Sequence, residues 1–160
     1  MALTDRNGNV HGYSYEVLGR QTSDAVATLD SGVDGSIHRI DKVYDTQGNA
    51  CLFTSYSDNA RTTIVNQVQR AFNGLGQVTQ EWQSHCGAVN TSTTPSVQYA
   101  YSEMAGGANL SRLVSMTYPN GKVLSFNYNT GVDDALSRAP NPDRRYSLAM
   151  ISRFTRQPSA

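Results

Sequence analysis

The hexapeptide Tyr44-Asp45-Thr46-Gln47-Gly48-Asn49 has relatives on both sides at a nearly constant distance, and that spacing constrains the fold more than any other feature. Upstream stands Tyr15-Glu16-Val17-Leu18-Gly19-Arg20, and downstream Phe72-Asn73-Gly74-Leu75-Gly76-Gln77. The leading aromatics are 29 and 28 residues apart (44 − 15 and 72 − 44). A further step of 29 reaches Tyr101, and one of 27 reaches Tyr128. Glycine follows the aromatic by four in the first three copies and drifts to Gly106 and Gly131 in the last two. A partial copy, Thr4-Asp5-Arg6-Asn7-Gly8-Asn9, keeps acid and glycine without the aromatic, and gives the period sub-units. A fixed period of about 20–50 residues marks a repeat architecture, in which one supersecondary unit recurs and stacks on itself.

The chemistry of one copy predicts a turn between two strands. An Asp or Asn at the first position and Gly at the fourth favour a type I turn. The acidic side chain accepts hydrogen bonds from backbone N–H groups two residues on. The glycine takes the left-handed conformation through which the second strand leaves in a bulge. Asp45 to Gly48 fits fully, Asn73 to Gly76 nearly as well, and Glu16 to Gly19 less well, because Glu caps turns poorly. The flanks alternate with period two. Val10 and Gly12 fall on one face and His11, Tyr13 and Tyr15 on the other; Tyr99-Ala100-Tyr101 and Phe126-Asn127-Tyr128 repeat the aromatic-x-aromatic pattern. In MTYPNGKVLSFNY, Tyr118-Pro119-Asn120-Gly121 predicts another hairpin turn. The β-branched run within Arg61–Arg70 predicts a strand, and Gly87–Ser96 a loop.

Composition agrees. Charged residues make up 16% of the 160, and the chain has only two lysines, Lys42 and Lys122, a profile that suits short strands and turns rather than a helical bundle. Net charge is zero, which gives no pull towards nucleic acid or anionic membrane. No apolar run is long enough for a membrane-spanning helix, and MALTDRNGNV has no signal-peptide pattern.

Little here calls for catalysis. His11, His38 and His85 have no metal-ligand spacing, and His85-Cys86, read as neighbours on a strand, would face opposite ways. Cys51 and Cys86 lack a CxxC partner and read as buried free thiols, with a disulfide open to geometry. Asp5–Asn9 and Asp30–Gly35 resemble calcium loops but lack the full ligand series, so turn chemistry accounts for both. Asn90-Thr91-Ser92 and Asn109-Leu110-Ser111 fit the glycosylation triplet. No cofactor or metal is expected. The aromatics, Tyr44 among them, are expected to form cross-strand ladders; Tyr13 and Trp82 are the candidates for stacking on a ligand.

The copies resemble the YD repeats of Rhs (rearrangement hotspot) and teneurin-type proteins, whose motif is roughly Tyr-Asp-x-x-Gly-Arg. The match falls on Tyr15, Gly19 and Arg20, on Tyr44, Asp45 and Gly48, and on Phe72, Leu75 and Gly76; Tyr118, Pro119, Asn120 and Gly121 match the family's Tyr-Pro-Asn-Gly hairpin. The resemblance covers about residues 4 to 138. It implies an all-β fold of antiparallel hairpin repeats, a curved sheet that is one piece of a β-solenoid shell. It also implies a structural role without catalysis: encapsulating or presenting a toxin or effector, with the rest of the shell or its cargo as partner, in proteins that are secreted or on the cell surface. The alternative function is an adhesion module that binds glycans or a surface protein. Eight to twelve strands are expected over residues 1–138, with open edges and one apolar face. Residues 139–160 read as a divergent basic tail, because residues 138–160 carry five basic side chains and one acidic one, and the two prolines of Ala139-Pro140-Asn141-Pro142 favour disorder there. A full shell needs many more repeats, so the chain is expected to be a piece of a larger or frame-shifted gene.

Overall fold

The computed structural model describes residues 1–102 and 111–126; Gly106, Asn109, Tyr128, Gly131 and the 139–160 tail lie outside them. The chain divides into two units, Met1–Gln98 and Tyr99–Ala160. The described residues form ten strands and no helix. The first unit holds β1 (Ala2–Thr4), β2 (Val10–Tyr15), β3 (Gln21–Thr28), β4 (Arg39–Tyr44), β5 (Ala50–Tyr56), β6 (Ile64–Phe72), β7 (Val78–Ser84) and the start of β8 (Ser96–Tyr101). Each strand pairs antiparallel with its neighbours in the chain. The order is open, not a barrel: among the described residues β1 pairs with β2 alone. In the second unit β9 (Leu113–Thr117) and β10 (Val123–Ser125) form a hairpin with Leu124 opposite Met116. The Ser102 N–H donates to Arg112 O at 2.8 Å there.

Cross-strand partners share a face, so the register sorts the side chains. One row crosses six strands of the first unit as Ser14, Ser23, Asp41, Thr54, Gln67 and Ser84. The same face carries Val43, Leu52, Gln69, Trp82 and Ser96 in a second row. The opposite face carries Tyr13, Asp24, Ile40, Ser55 and Asn66, with Lys42, Phe53, Val68 and Gln83 in the next row. Apolar side chains therefore stand on both faces, and the single apolar face expected from the sequence is not there. Trp82 is the only buried apolar side chain among the described residues; the buried polar ones are Asn9, Ser23, Thr54 and Gln67.

The physical reason is that loops, not a second layer, cover this sheet. A loop brings bare N–H and C=O groups, so the surface beneath it must offer polar partners. Gln67 does this twice: its Oε1 accepts from Val89 N–H at 2.8 Å and its Nε2 donates to Thr54 Oγ1 at 2.7 Å. Trp82 Nε1 donates to Thr91 O at 3.2 Å, which holds the loop between β7 and β8 over the indole. The β5–β6 loop is pinned by charge, with Arg61 and Arg39 both on Asp41 at 2.8 and 2.7 Å. It is pinned again where Asn59 Nδ2 donates to Val26 O at 2.7 Å. Arg61 accepts a left-handed backbone, φ 66°, to reach Asp41.

Two readings of the cysteines and histidines change. Cys51 and Cys86 are free, but Cys51 is only half-buried and Cys86 is exposed. His85 and Cys86 lie in the bend after β7 rather than on a strand, so the opposite-face reasoning does not apply to them.

Trp82→Ala removes the one large apolar side chain that a loop covers, and is expected to cost about 3 kcal/mol. The drop in urea midpoint at unchanged slope measures it.

Candidate functional site: the row of repeat turns

Tyr15, Tyr44 and Phe72 each end a strand, β2, β4 and β6, and each leads into a turn at the same end of the first unit. The three turns share one geometry. The glycine N–H donates back to the first turn residue: Gly19 to Glu16 O at 2.9 Å, Gly48 to Asp45 O at 3.1 Å, Gly76 to Asn73 O at 3.0 Å. That first residue donates in turn to the carbonyl of the residue after the glycine, at 3.0 Å to Arg20, 2.9 Å to Asn49 and 2.9 Å to Gln77. Gly19, Gly48 and Gly76 have φ of 78°, 91° and 74°, a region costly for any residue with a Cβ. The register slips beside each, between Ser14 and Tyr15, Val43 and Tyr44, and Ala71 and Phe72, which is the bulge that lets the returning strand leave.

The first residue of the turn caps it where its side chain is short. Asp45 Oδ1 accepts from Gln47 N–H at 2.9 Å and Asn49 N–H at 2.8 Å, and its Oδ2 from Asn49 Nδ2 at 3.0 Å. Asn73 Oδ1 accepts from Leu75 and Gln77 N–H, both at 3.0 Å. The Asn49 side-chain amide, with the N–H groups of Asn49 and Gln47, holds the Asp45 carboxyl below its usual value of 3.8. Asp5 is held low in the same way by Asn9, in the Asp5–Gly8 turn between β1 and β2. Glu16 makes no such cap; its carboxylate pairs with Arg20 instead.

The hairpin of the second unit has the same frame with one exchange. Gly121 N–H donates to Tyr118 O at 2.9 Å and Tyr118 N–H to Lys122 O at 2.8 Å. Tyr118 thus stands where Asp45 stands, Pro119 follows it, and Asn120 takes over the capping, accepting from Lys122 N–H at 3.1 Å. Tyr101 is the last residue of β8, where burial pushes its hydroxyl above the usual 10.0.

What joins one repeat to the next is the residue after the glycine. The Arg20 guanidinium lies over the Tyr44 ring, 4.4 Å from its centroid. Its Nη1 is 2.8 Å from where a Cβ on Gly48 would sit. Asn49 Oδ1 is 3.3 Å from the corresponding point on Gly76. The first turn therefore closes on the glycine of the second and the second on the glycine of the third; at Gly48 a methyl group would displace the guanidinium, and at Gly76 it would crowd Asn49. Tyr44 is held by this cation and by its hydroxyl, which donates to Gln21 O at 2.9 Å, rather than by an aromatic ladder. Asn49 and Gln77 were not among the residues singled out from the sequence. The signal existed: the glycine is followed by Asn9, Arg20, Asn49, Gln77 and Lys122, each able to reach sideways.

The remaining candidates are apart from this row. His11 Nδ1 lies 2.8 Å from Asp24 Oδ1 between β2 and β3, and its ring stacks on Tyr13 at 6.1 Å. Trp82 is 8% exposed, so little of its ring is open to a ligand. Among the described residues no three His, Cys, Asp or Glu side chains gather as for a metal, and no helix is long and apolar enough to cross a membrane. Asp34 is satisfied within its own loop by Ser36, whose N–H and hydroxyl hold the carboxyl low. No protein-family model matches the chain, and no curated protein matches it at a significant level.

Two outcomes follow from this geometry. Gly19→Ala meets only the left-handed penalty, about 1 kcal/mol, since nothing lies within 4 Å of its new methyl group. Gly48→Ala is expected to cost more, because the methyl also lifts Arg20 off Tyr44; the excess disappears in an Arg20→Ala background, read by a double-mutant cycle in urea. The second concerns acid. Asp45 titrates lower folded than unfolded, so its contribution is complete above the unfolded 3.8 and is lost as pH falls through the folded value. Asp45→Asn, the residue type already present at Asn73, is expected to keep the turn at neutral pH and to reduce the loss of Tm on acidification.

Proposed function

We propose that this chain is a segment of a YD-repeat wall of the Rhs and teneurin type, a scaffold that encloses or presents a toxin or effector and performs no chemistry itself. The observation that carries the reading is the closure of each turn on the next, Arg20 on Gly48 and Tyr44, then Asn49 on Gly76. In such an arrangement no hairpin is complete alone, and lengthening the row completes more of them. The sheet between the turns supports the same role. Its buried side chains are mostly polar, its strand order is open, and Asp45, Asn73, Asp41 and Gln67 serve as turn caps and loop ties. Secretion or display at a cell surface belongs to this proposal through the family resemblance.

The adhesion reading loses one of its two stacking candidates, because Trp82 is roofed by its own loop. Size-exclusion chromatography with light scattering on the whole chain tests the wall. A wall segment has free edges and is expected to self-associate. A monodisperse monomer that melts cooperatively, or saturable binding on a glycan array that Tyr13→Ala removes, would overturn the proposal.

A further inference from the structure

Three Asn-Gly pairs stand in turns of the described chain: Asn7-Gly8, Asn73-Gly74 and Asn120-Gly121. In such a pair the backbone nitrogen after the asparagine can attack the side-chain carbonyl carbon, because glycine brings no Cβ to crowd the approach. Exposure ranks Asn73 last, since it is half-buried while Asn7 and Asn120 are exposed. Hydrogen bonding ranks it first. The attacking N–H must lose its proton, and a turn bond holds that proton in two of the three pairs. Gly8 N–H donates to Asp5 O at 3.2 Å and Gly121 N–H to Tyr118 O at 2.9 Å. Among the described residues nothing accepts from Gly74 N–H. The difference is one of place. Asn73 opens its turn, so the glycine after it holds the second position, whose N–H no turn bond uses; Asn7 and Asn120 stand third.

The carbonyl is prepared as well. Attack on Asn73 Cγ drives negative charge onto Oδ1, which already accepts from Leu75 N–H and Gln77 N–H, both at 3.0 Å. Two backbone donors aimed at an oxygen that gains charge lower the barrier to a tetrahedral intermediate. Asn120 Oδ1 has one such donor, Lys122 N–H at 3.1 Å, and the Asn7 side chain has none among the described residues. We propose that Asn73 is a self-modification site, which its own turn converts to aspartate and isoaspartate with water as the only co-reactant. Solvent base takes the Gly74 N–H proton, the nitrogen bonds to Cγ, and the Cγ–Nδ2 bond breaks, so that the proton leaves in ammonia. Water then opens the succinimide ring. Opening at Cγ leaves an aspartate, the cap that the second turn has in Asp45. Opening at the main-chain carbonyl leaves an isoaspartate, whose extra backbone carbon breaks the cap beside Gly76. Either way the third turn gains a negative charge irreversibly, whether or not the chain belongs to a wall.

The whole chain is incubated at mildly alkaline pH, folded in buffer and unfolded in guanidinium chloride. Peptide mapping reads conversion at each asparagine from the gain in mass, with isoaspartate separated from aspartate by chromatography. In the folded chain Asn73 is expected to convert about fivefold faster than Asn7 or Asn120, the factor carried by one ordinary hydrogen bond at the attacking nitrogen. In denaturant the three rates are expected to converge, because the pairs then differ only in their neighbours along the chain. Gly74→Ala, whose methyl group meets nothing within 4 Å, is expected to keep the circular dichroism of the fold and to remove the lead of Asn73. Equal rates in the folded chain, or Asn7 or Asn120 converting first, overturn the site. So does a lead of Asn73 that persists in denaturant or survives Gly74→Ala, and so does an Asn73 that stays intact while the unfolded sample converts.

Discussion

A glycine with φ near 90° and a guanidinium against it set the pitch of this protein. At Gly48 the backbone must be left-handed for the strand to return through its bulge, and it must lack a Cβ for Arg20 to reach Tyr44. One residue meets a constraint from within its own turn and another from the turn before. Because consecutive strands pair side by side, the spacing of the turns at one end is the spacing of the strands beneath them, about 10 Å for two strand widths, and Arg20 and Asn49 each span one such step. Repeat length and sheet geometry are locked to each other through a contact of a few atoms.

Between the turns the sheet is stabilised in an unusual way for its size. Only Trp82 among the described apolar side chains is buried, and the most central positions hold Ser23, Thr54 and Gln67. Among the described residues Ser23 Oγ is buried without a hydrogen-bond partner, a local cost rather than a contribution to stability. Ladder hydrogen bonds, cross-strand pairs such as Arg70 with Glu81, and loops tied down by Gln67 and Asp41 replace a core. Each of these is a local contribution of modest size, so stability accumulates strand by strand rather than through one cluster.

The turns were legible in the sequence because their chemistry is local. Asp45 capping Gln47 and Asn49, and glycine at the fourth position, follow from preferences within six residues. Glu16 was legible as a poor cap, and the structure shows where it goes instead, to Arg20. The strand over Ile64–Phe72 followed from β-branching. Face assignment was harder. Each bulge changes the phase of the alternation, so reading period two through Tyr15 or Tyr44 puts later side chains on the wrong side. The single apolar face failed because the strands carry polar and apolar side chains at both alternating positions and loops tie down to polar partners, so neither face is uniform.

By itself the sequence determined the unit: an aromatic, a cap, a left-handed glycine, and strands to either side at a period near 28. Those are properties of short segments, decided by backbone conformation and nearest hydrogen bonds. Only the tertiary structure decided how units meet. That Arg20 closes on Tyr44 and Gly48, and that Gln67 and Trp82 lie beneath a loop, join residues from different segments of the chain. Their pairing depends on register, and register is fixed by where the bulges fall in three dimensions rather than by any preference a single residue carries.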